Sequence, residues 1–190
     1  AGGDRGRGRR AHLLRGLRQG LNAPTGPGRL TLDVILRPAQ ATQAAAWVAL
    51  RGQTRENPIP ADRLAALGVT AASWARDVEQ GVLIGLEACR GDHLRGYAFG
   101  DSRTGEVVVL ALRPEAEGQG LGRRLLQGVM QALVACGHQR LFLGADPDPR
   151  VRAHGFYRHL GWRPAGSLDP RGDEVLEWFA AAEPPRSGPT

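Results

Sequence analysis

From residue 31 onward, the apolar positions of this 190-residue chain switch between a period of two and a period near 3.6, the mark of alternating strands and helices. "LTLDVILR" reads as a strand, and "AQATQAAAWVALRGQ" reads as a helix ending before Asn57-Pro58. "ADRLAAL" and "AASWARDVEQG" add shorter helical turns with a glycine stop. Three strands follow in meander order, "GVLIGLEACR", "LRGYAFGD" and "EVVVLALRP", separated by "GD" and "SRTG". Connections this short make antiparallel hairpins. Residues 119–136 predict a further helix: Leu121, Leu125, Val129 and Leu133 recur at helical spacing beside Leu126, Met130 and Val134, and Gly137 stops it. A strand "RLFLGAD", a helix "RVRAHGFYRHLG" and final strands near "WRPAGSL" and "EVLEWFA" complete the pattern, with no internal repeat.

A chain of this size builds one α/β domain without help from metal or disulfide. Its longest apolar runs, "AAAWVAL" and "VVVLAL", fall far short of the roughly 20 residues that span a bilayer, so a soluble protein is expected. Cys89 and Cys136 form neither a CxxC pair nor a His/Cys cluster. They are expected in the core, with no zinc site and no bound metal, which suits a reducing cytoplasm. All 25 basic residues are Arg. Without Lys, neither a P-loop nor a Schiff-base lysine is available.

The charge is unevenly placed. Residues 1–30 hold seven Arg against one Asp, whereas residues 31–190 hold 18 Arg against 18 acids, so the arm carries the whole excess of +6. Three readings of the arm stand: a binder of phosphate backbones, an Arg-rich targeting segment with Leu13, Leu14, Leu17 and Leu21 on one face, or a disordered extension ended by "APTGPG". It has no secretory apolar region. The expected organisation is an arm over 1–30, a domain over 31–180 and a disordered tail over 181–190.

The stretch "EGQGLGRR" at 117–124 follows a strand and opens a helix. Unpaired N–H groups at such a helix start face an anion, and a pyrophosphate is the natural guest. Gly118, Gly120 and Gly122 let the backbone approach it without Cβ obstruction, while Arg123 and Arg124 add positive charge. The alternative is a demanding turn that binds nothing. The dinucleotide fingerprint G-x-G-x-x-G fails, because its last glycine would fall on Arg123.

"VLALRPEAEGQGLGRRLL", followed by "AHGFYRHLGW" beginning 31 residues beyond Gly122, resembles the two ordered motifs of the GNAT superfamily of acyl-CoA-dependent N-acetyltransferases. The resemblance covers roughly residues 31–180. It implies an α/β fold of the α+β mixed-sheet kind: a central, mostly antiparallel twisted sheet flanked by helices and splayed between strands 4 and 5. It implies acetyl-CoA as co-substrate, its pyrophosphate held by Gly118, Gly120, Leu121, Gly122, Arg123 and Arg124. Its pantetheine arm and thioester oxygen would meet the backbone of Leu110, Ala111 and Leu112. Two departures stand out. Glu117 occupies the family's usual Gln or Arg position, so its carboxylate is expected to turn outward, and Arg150 stands where many members have Asn.

The chemistry of the implied reaction, transfer of an acetyl group to a primary amine by direct attack in a ternary complex, needs a neutral amine, a donor for the oxyanion and an acid for the thiolate. Tyr157 matches the family's leaving-group acid. Glu106, eleven residues before Glu117, matches a glutamate base of some members, and strand alternation puts it beside Val108, Leu110 and Leu112, an apolar setting that raises a carboxylate's pKa. Otherwise it caps the "TGE" turn. Glu56, in the region that forms the family's acceptor pocket, is the rival base. His138, His154 and His159 read as surface or supporting groups. The acceptor is a small-molecule or peptide amine, with no membrane partner; a homodimer is compatible with this. A catalytically silent acyl-CoA-binding domain, or a nucleic-acid-associated protein using its arm, are the competing readings.

Overall fold

A short strand, β1 (Ile35–Pro38), lies near the start of the computed structural model, which describes residues 33–180. The Arg-rich arm and the C-terminal tail lie outside the described residues. A 3₁₀ turn (Ala41–Gln43) leads into α1 (Ala44–Arg51), and α2 (Ala61–Ala66) and α3 (Ala71–Glu79) follow. Thr70 and Ser73 cap α3 reciprocally: each side-chain oxygen accepts the other's backbone N–H, at 3.0 and 2.9 Å. The meander is β2 (Leu83–Arg90), β3 (His93–Asp101) and β4 (Val107–Leu112). Beyond it come α4 (Leu121–Ala135), β5 (Arg140–Ala145), α5 (Arg152–His159), β6 (Arg163–Leu168) and β7 (Glu174–Phe179).

The strands form two antiparallel sheets, β1-β2-β3-β4 and β5-β7-β6. Among the described residues a single parallel bridge, from Glu106 just before β4 to Phe142 of β5, links the two sheets, with the Phe142 N–H donating to the Gly105 carbonyl at 3.3 Å. Past that point the two strands part. The expected mixed α/β architecture, with its splay after strand 4, is therefore present.

Two cores sandwich the first sheet. On one face α4 buries Leu121, Leu125, Leu126, Val129 and Leu133 against Leu86, Ala98, Leu141, Leu143 and Trp162, each fully buried leucine contributing roughly 1.5–3 kcal/mol. On the other face α1 and α3 bring Trp47 and Trp74 onto Tyr97 and Phe99, the Trp47 and Phe99 rings meeting edge-on at 4.7 Å. Glu87 is 0% exposed at the root of this cluster. Its carboxylate accepts the Trp47 Nε1–H at 2.8 Å, the Arg37 Nε–H at 3.0 Å and the Gln40 backbone N–H at 3.3 Å, so one buried charge fixes β1, the 3₁₀ turn and α1.

Two expectations need correction. Cys89 is buried, but Cys136 lies at the end of α4, where the helix leaves the sheet, and is only half-buried. Alternation along β4 is broken by a bulge: Phe99 pairs with Val109 and Gly100 with Val107, so Val108 has no partner and is 41% exposed. Val107, Leu110 and Leu112 then face the α4 core, while Val109 and Ala111 face the aromatic cluster. Glu106, one residue before Val107, falls on the second side and does not share a face with Leu110 and Leu112. Among the described residues no helix is long and apolar enough to cross a membrane.

Candidate active site

Among the described residues, the parting of β4 from β5 leaves the Leu110–Leu112 edge without a strand partner on that side, and the glycine turn lies beyond it. The three glycines serve two purposes. Gly118 and Gly120 hold φ of +72° and +73°, left-handed values that suit glycine, and a Cβ at either would meet nothing within 4 Å. At Gly122 a Cβ would stand 3.2 Å from Leu112 Cδ1 and 3.6 Å from Phe156 Cζ, so this glycine brings α4 close to β4 and α5. The turn is thus open on its outer side. No side chain caps α4, and Arg123 and Arg124 in its first turn are exposed with no ion pair among the described residues. Two such cations oppose the helix dipole, an arrangement that an anion at this position would relieve.

Glu117 does not turn outward as its position suggested. Its side chain is 19% exposed and accepts the Arg55 Nε–H at 2.9 Å and the Arg152 Nη1–H at 2.5 Å. Glu56, the rival base, accepts the backbone N–H of Arg152 at 3.2 Å, satisfying one of the orphan donors at the start of α5. The segment after α1 is thereby tied both to the glycine turn and to the helix that carries Tyr157. Arg150 folds back on Asp148 at 2.6 Å.

Tyr157 packs edge-on against Phe156 and Trp162, with ring centroids 5.2 and 6.2 Å away. Burial pushes its hydroxyl up to about 12, and the positive charge of Arg51 pulls the other way. Arg51 also acts on Tyr97, whose hydroxyl is pushed up by burial and has no hydrogen-bond partner among the described residues. Burial in turn lowers the Arg51 pKa. The charge of Arg51, at the end of α1, thus acts on two tyrosine hydroxyls, one on β3 and one on α5. Neither Arg51 nor Tyr97 was among the sequence candidates. Arg51 looked like the end of a helix and Tyr97 like a strand aromatic, and only the chain's path brings them to Tyr157.

Glu106 is not brought to this group. It sits at the start of β4, four residues before Leu110, about 13 Å at the usual strand rise. Its carboxyl is pushed up by burial, with Arg171 opposing and Asp101 and Asp169 adding. The raising cause is loss of solvent beside charged neighbours, not the apolar strand face anticipated. His138 makes a 2.8 Å hydrogen bond with the Ser102 carbonyl, a supporting role for the sheet. Among the described residues no group of three His, Cys, Asp or Glu is placed to hold a metal ion.

Comparison with known proteins gives a consistent result. The model of the acetyltransferase (GNAT) family matches residues 44–162. An uncharacterized, ycf52-like N-acetyltransferase of Prochlorococcus marinus is 30% identical over 150 residues, covering 79% of this chain and 71% of its own length. A mycothiol acetyltransferase of Beutenbergia cavernae is 39% identical over 64 residues, 34% of this chain and 21% of that protein. In fold, the PaiA N-acetyltransferase of Thermoplasma acidophilum, solved with coenzyme A, superposes with a TM-score of 0.59 at 15% identity, over 78% of this chain and 99% of that one.

Proposed function

The chain belongs to the GNAT family of acetyltransferases, and from that premise we propose that its 31–180 domain moves an acetyl group from acetyl-CoA to a primary amine by direct attack in a ternary complex. The observation that carries this reading is the open glycine turn set against the helix of Tyr157: the Cβ position of Gly122 is 3.6 Å from the Phe156 ring, one residue before the tyrosine. A cofactor whose phosphates sit at the turn would run its pantetheine arm along the Leu110–Leu112 edge, which brings its sulfur, an arm's length from the phosphates, toward the helix that carries Tyr157.

Bound acetyl-CoA supplies an activated thioester. The N–H groups around Gly118, Gly120, Leu121 and Gly122, with Arg123 and Arg124, hold its phosphates. The free edge of Leu110, Ala111 and Leu112 aligns the pantetheine and offers a backbone N–H to the oxyanion. Tyr157, with a hydroxyl near 12, stays protonated at neutral pH. A thiol titrates near 8.5, so the tyrosine acts by donating a hydrogen bond to the departing sulfur more than by giving up its proton outright.

Glu106 takes the amine proton in this account. Its raised carboxyl pKa favours it, and the roughly 13 Å to Leu110 calls for a chain of several waters to carry the proton. Glu56 is engaged in holding the start of α5. The acceptor is a small-molecule or peptide amine, and a reducing cytoplasm suits the two free cysteines. The test is release of free thiol from acetyl-CoA, with and without a panel of amines, and mass spectrometry of the amine. Amine-dependent release with one acetyl transferred per thiol is the expected result. Tight acetyl-CoA binding with no amine-dependent release would mark a silent acyl-CoA-binding domain.

A further inference from the structure

We infer that Arg51 selects the acceptor, and that the amine acetylated by this chain carries a carboxylate a few bonds from its nitrogen. The inference rests on the acetyltransferase reading above and names the acceptor class within it. Arg51 is the last residue of α1 and is half-buried. Only one of its nitrogens is engaged: Nη1 donates to the Asn57 carbonyl at 2.6 Å and to Thr54 Oγ1 at 3.2 Å. Nε and Nη2 have no hydrogen-bond partner among the described residues.

No carboxylate pairs with this guanidinium among the described residues, in contrast to Arg37 with Glu87, Arg95 with Glu115 and Arg140 with Glu177. The two nearby acids along the chain or across the turn are engaged elsewhere, Glu56 on the Arg152 N–H and Glu117 on Arg55 and Arg152. The groups that feel the Arg51 charge are the hydroxyls of Tyr97 and Tyr157. Tyr97 is 0% exposed and its hydroxyl also has no partner among the described residues. A partly desolvated cation without a counter-charge is costly. A buried hydroxyl without a partner beside it adds to that cost. An anion entering at the free Nε and Nη2 edge meets the guanidinium's deficit, and the Arg51 charge felt by Tyr157 sets that edge near the tyrosine's hydroxyl.

The chemistry of that anion follows from the geometry of one fork. A free Nε and Nη2 pair matches the two oxygens of a carboxylate bidentately, and one positive charge neutralises one negative. A phosphate dianion would keep a surplus charge here. The cofactor's phosphates have other cations, Arg123 and Arg124, at the glycine turn. Since Tyr157 is the group assigned to the leaving sulfur, a carboxylate on Arg51 places the acceptor nitrogen only a short chain away. A short amino acid, or a peptide whose amine has a carboxylate close by, fits.

The test uses the full chain with saturating acetyl-CoA and free-thiol release as readout. Its probes are matched amine pairs differing only in carboxylate against carboxamide, with one to five carbons between nitrogen and acid. In the wild type at least one carboxylate should exceed its amide in kcat/KM by tenfold or more. Arg51→Gln should lower the carboxylate-over-amide ratio of kcat/KM tenfold or more, beyond any loss common to both members of a pair, with acetyl-CoA affinity retained. Arg51→Lys keeps the charge and should retain a reduced preference, which covers the case of a Gln variant that does not fold. A wild-type preference for amides, or an equal loss for both members of each pair, overturns the inference and leaves acetyl transfer standing. Absence of thiol release from every pair counts against both.

Discussion

Val107 and Leu110 are three residues apart on one strand, yet both face the core under α4, because the bulge at Val108 uses up one step of the alternation. Glu106 is turned by the same bulge to the opposite side, where the charges of Arg171, Asp101 and Asp169 act on it.

Its environment makes a pH prediction. The folded carboxyl titrates above its unfolded value, chiefly through burial, so its contribution to stability is full below the unfolded pKa and is lost as pH rises through the folded one. Glu106→Gln should therefore be at least as stable as the wild type at pH 7, and the difference should shrink as pH falls into the carboxylate range. If Glu106 is the base, the acidic limb of the kcat/KM profile should also flatten. An unchanged limb would remove it from the proton path; a Gln variant that loses stability specifically at pH 7 would contradict the direction of the shift.

Two substitutions at one glycine separate strain from charge. Gly120→Ala and Gly120→Glu both force a side chain into a φ of +73° where there is open space, so both should lose about 1 kcal/mol, a few degrees in Tm. Only the glutamate adds negative charge at the phosphate position. By calorimetry its coenzyme A affinity should fall about 10²-fold further than that of the alanine variant. Equal affinities in the two folded variants would move the phosphates elsewhere.

The buried Glu87 provides a stability test independent of chemistry. Glu87→Leu strands the Trp47 Nε1–H, the Arg37 guanidinium and the Gln40 N–H together, and should cost about 3–5 kcal/mol in urea unfolding at constant m-value. Glu87→Gln keeps one acceptor and should cost less. A loss under 1 kcal/mol for the leucine variant would show that β1 and α1 do not depend on this carboxylate.

Much of the fold was legible because its signals are local. Leu125, Val129 and Leu133 recur at helical spacing, and "GD" and "SRTG" are hairpin turns; each is a property of a few neighbouring residues. The glycine turn was legible as a turn between strand and helix for the same reason, although local pattern did not separate Gly118 and Gly120, which bend the chain, from Gly122, which packs it. What escaped depends on pairing across the sheet or on the chain's path. The Val108 bulge exists because β4 is one residue longer than the stretch of β3 it faces. Glu117 turns inward because Arg55 and Arg152, 62 and 35 residues away, meet it. The charge of Arg51 comes to act on Tyr97 and Tyr157 by the same long-range closure, which no periodicity encodes.

The Tyr157 hydroxyl is the one side-chain group on which departure of the thiolate depends in the proposed reaction. Tyr157→Phe keeps the ring against Phe156 and Trp162 and removes only the oxygen. In single-turnover acetyl transfer, where chemistry and not product release sets the rate, the variant should be slower by about 10²-fold with acetyl-CoA affinity nearly unchanged. A Phe variant that transfers at the wild-type rate would contradict the role of Tyr157 and leave the reaction to positioning alone.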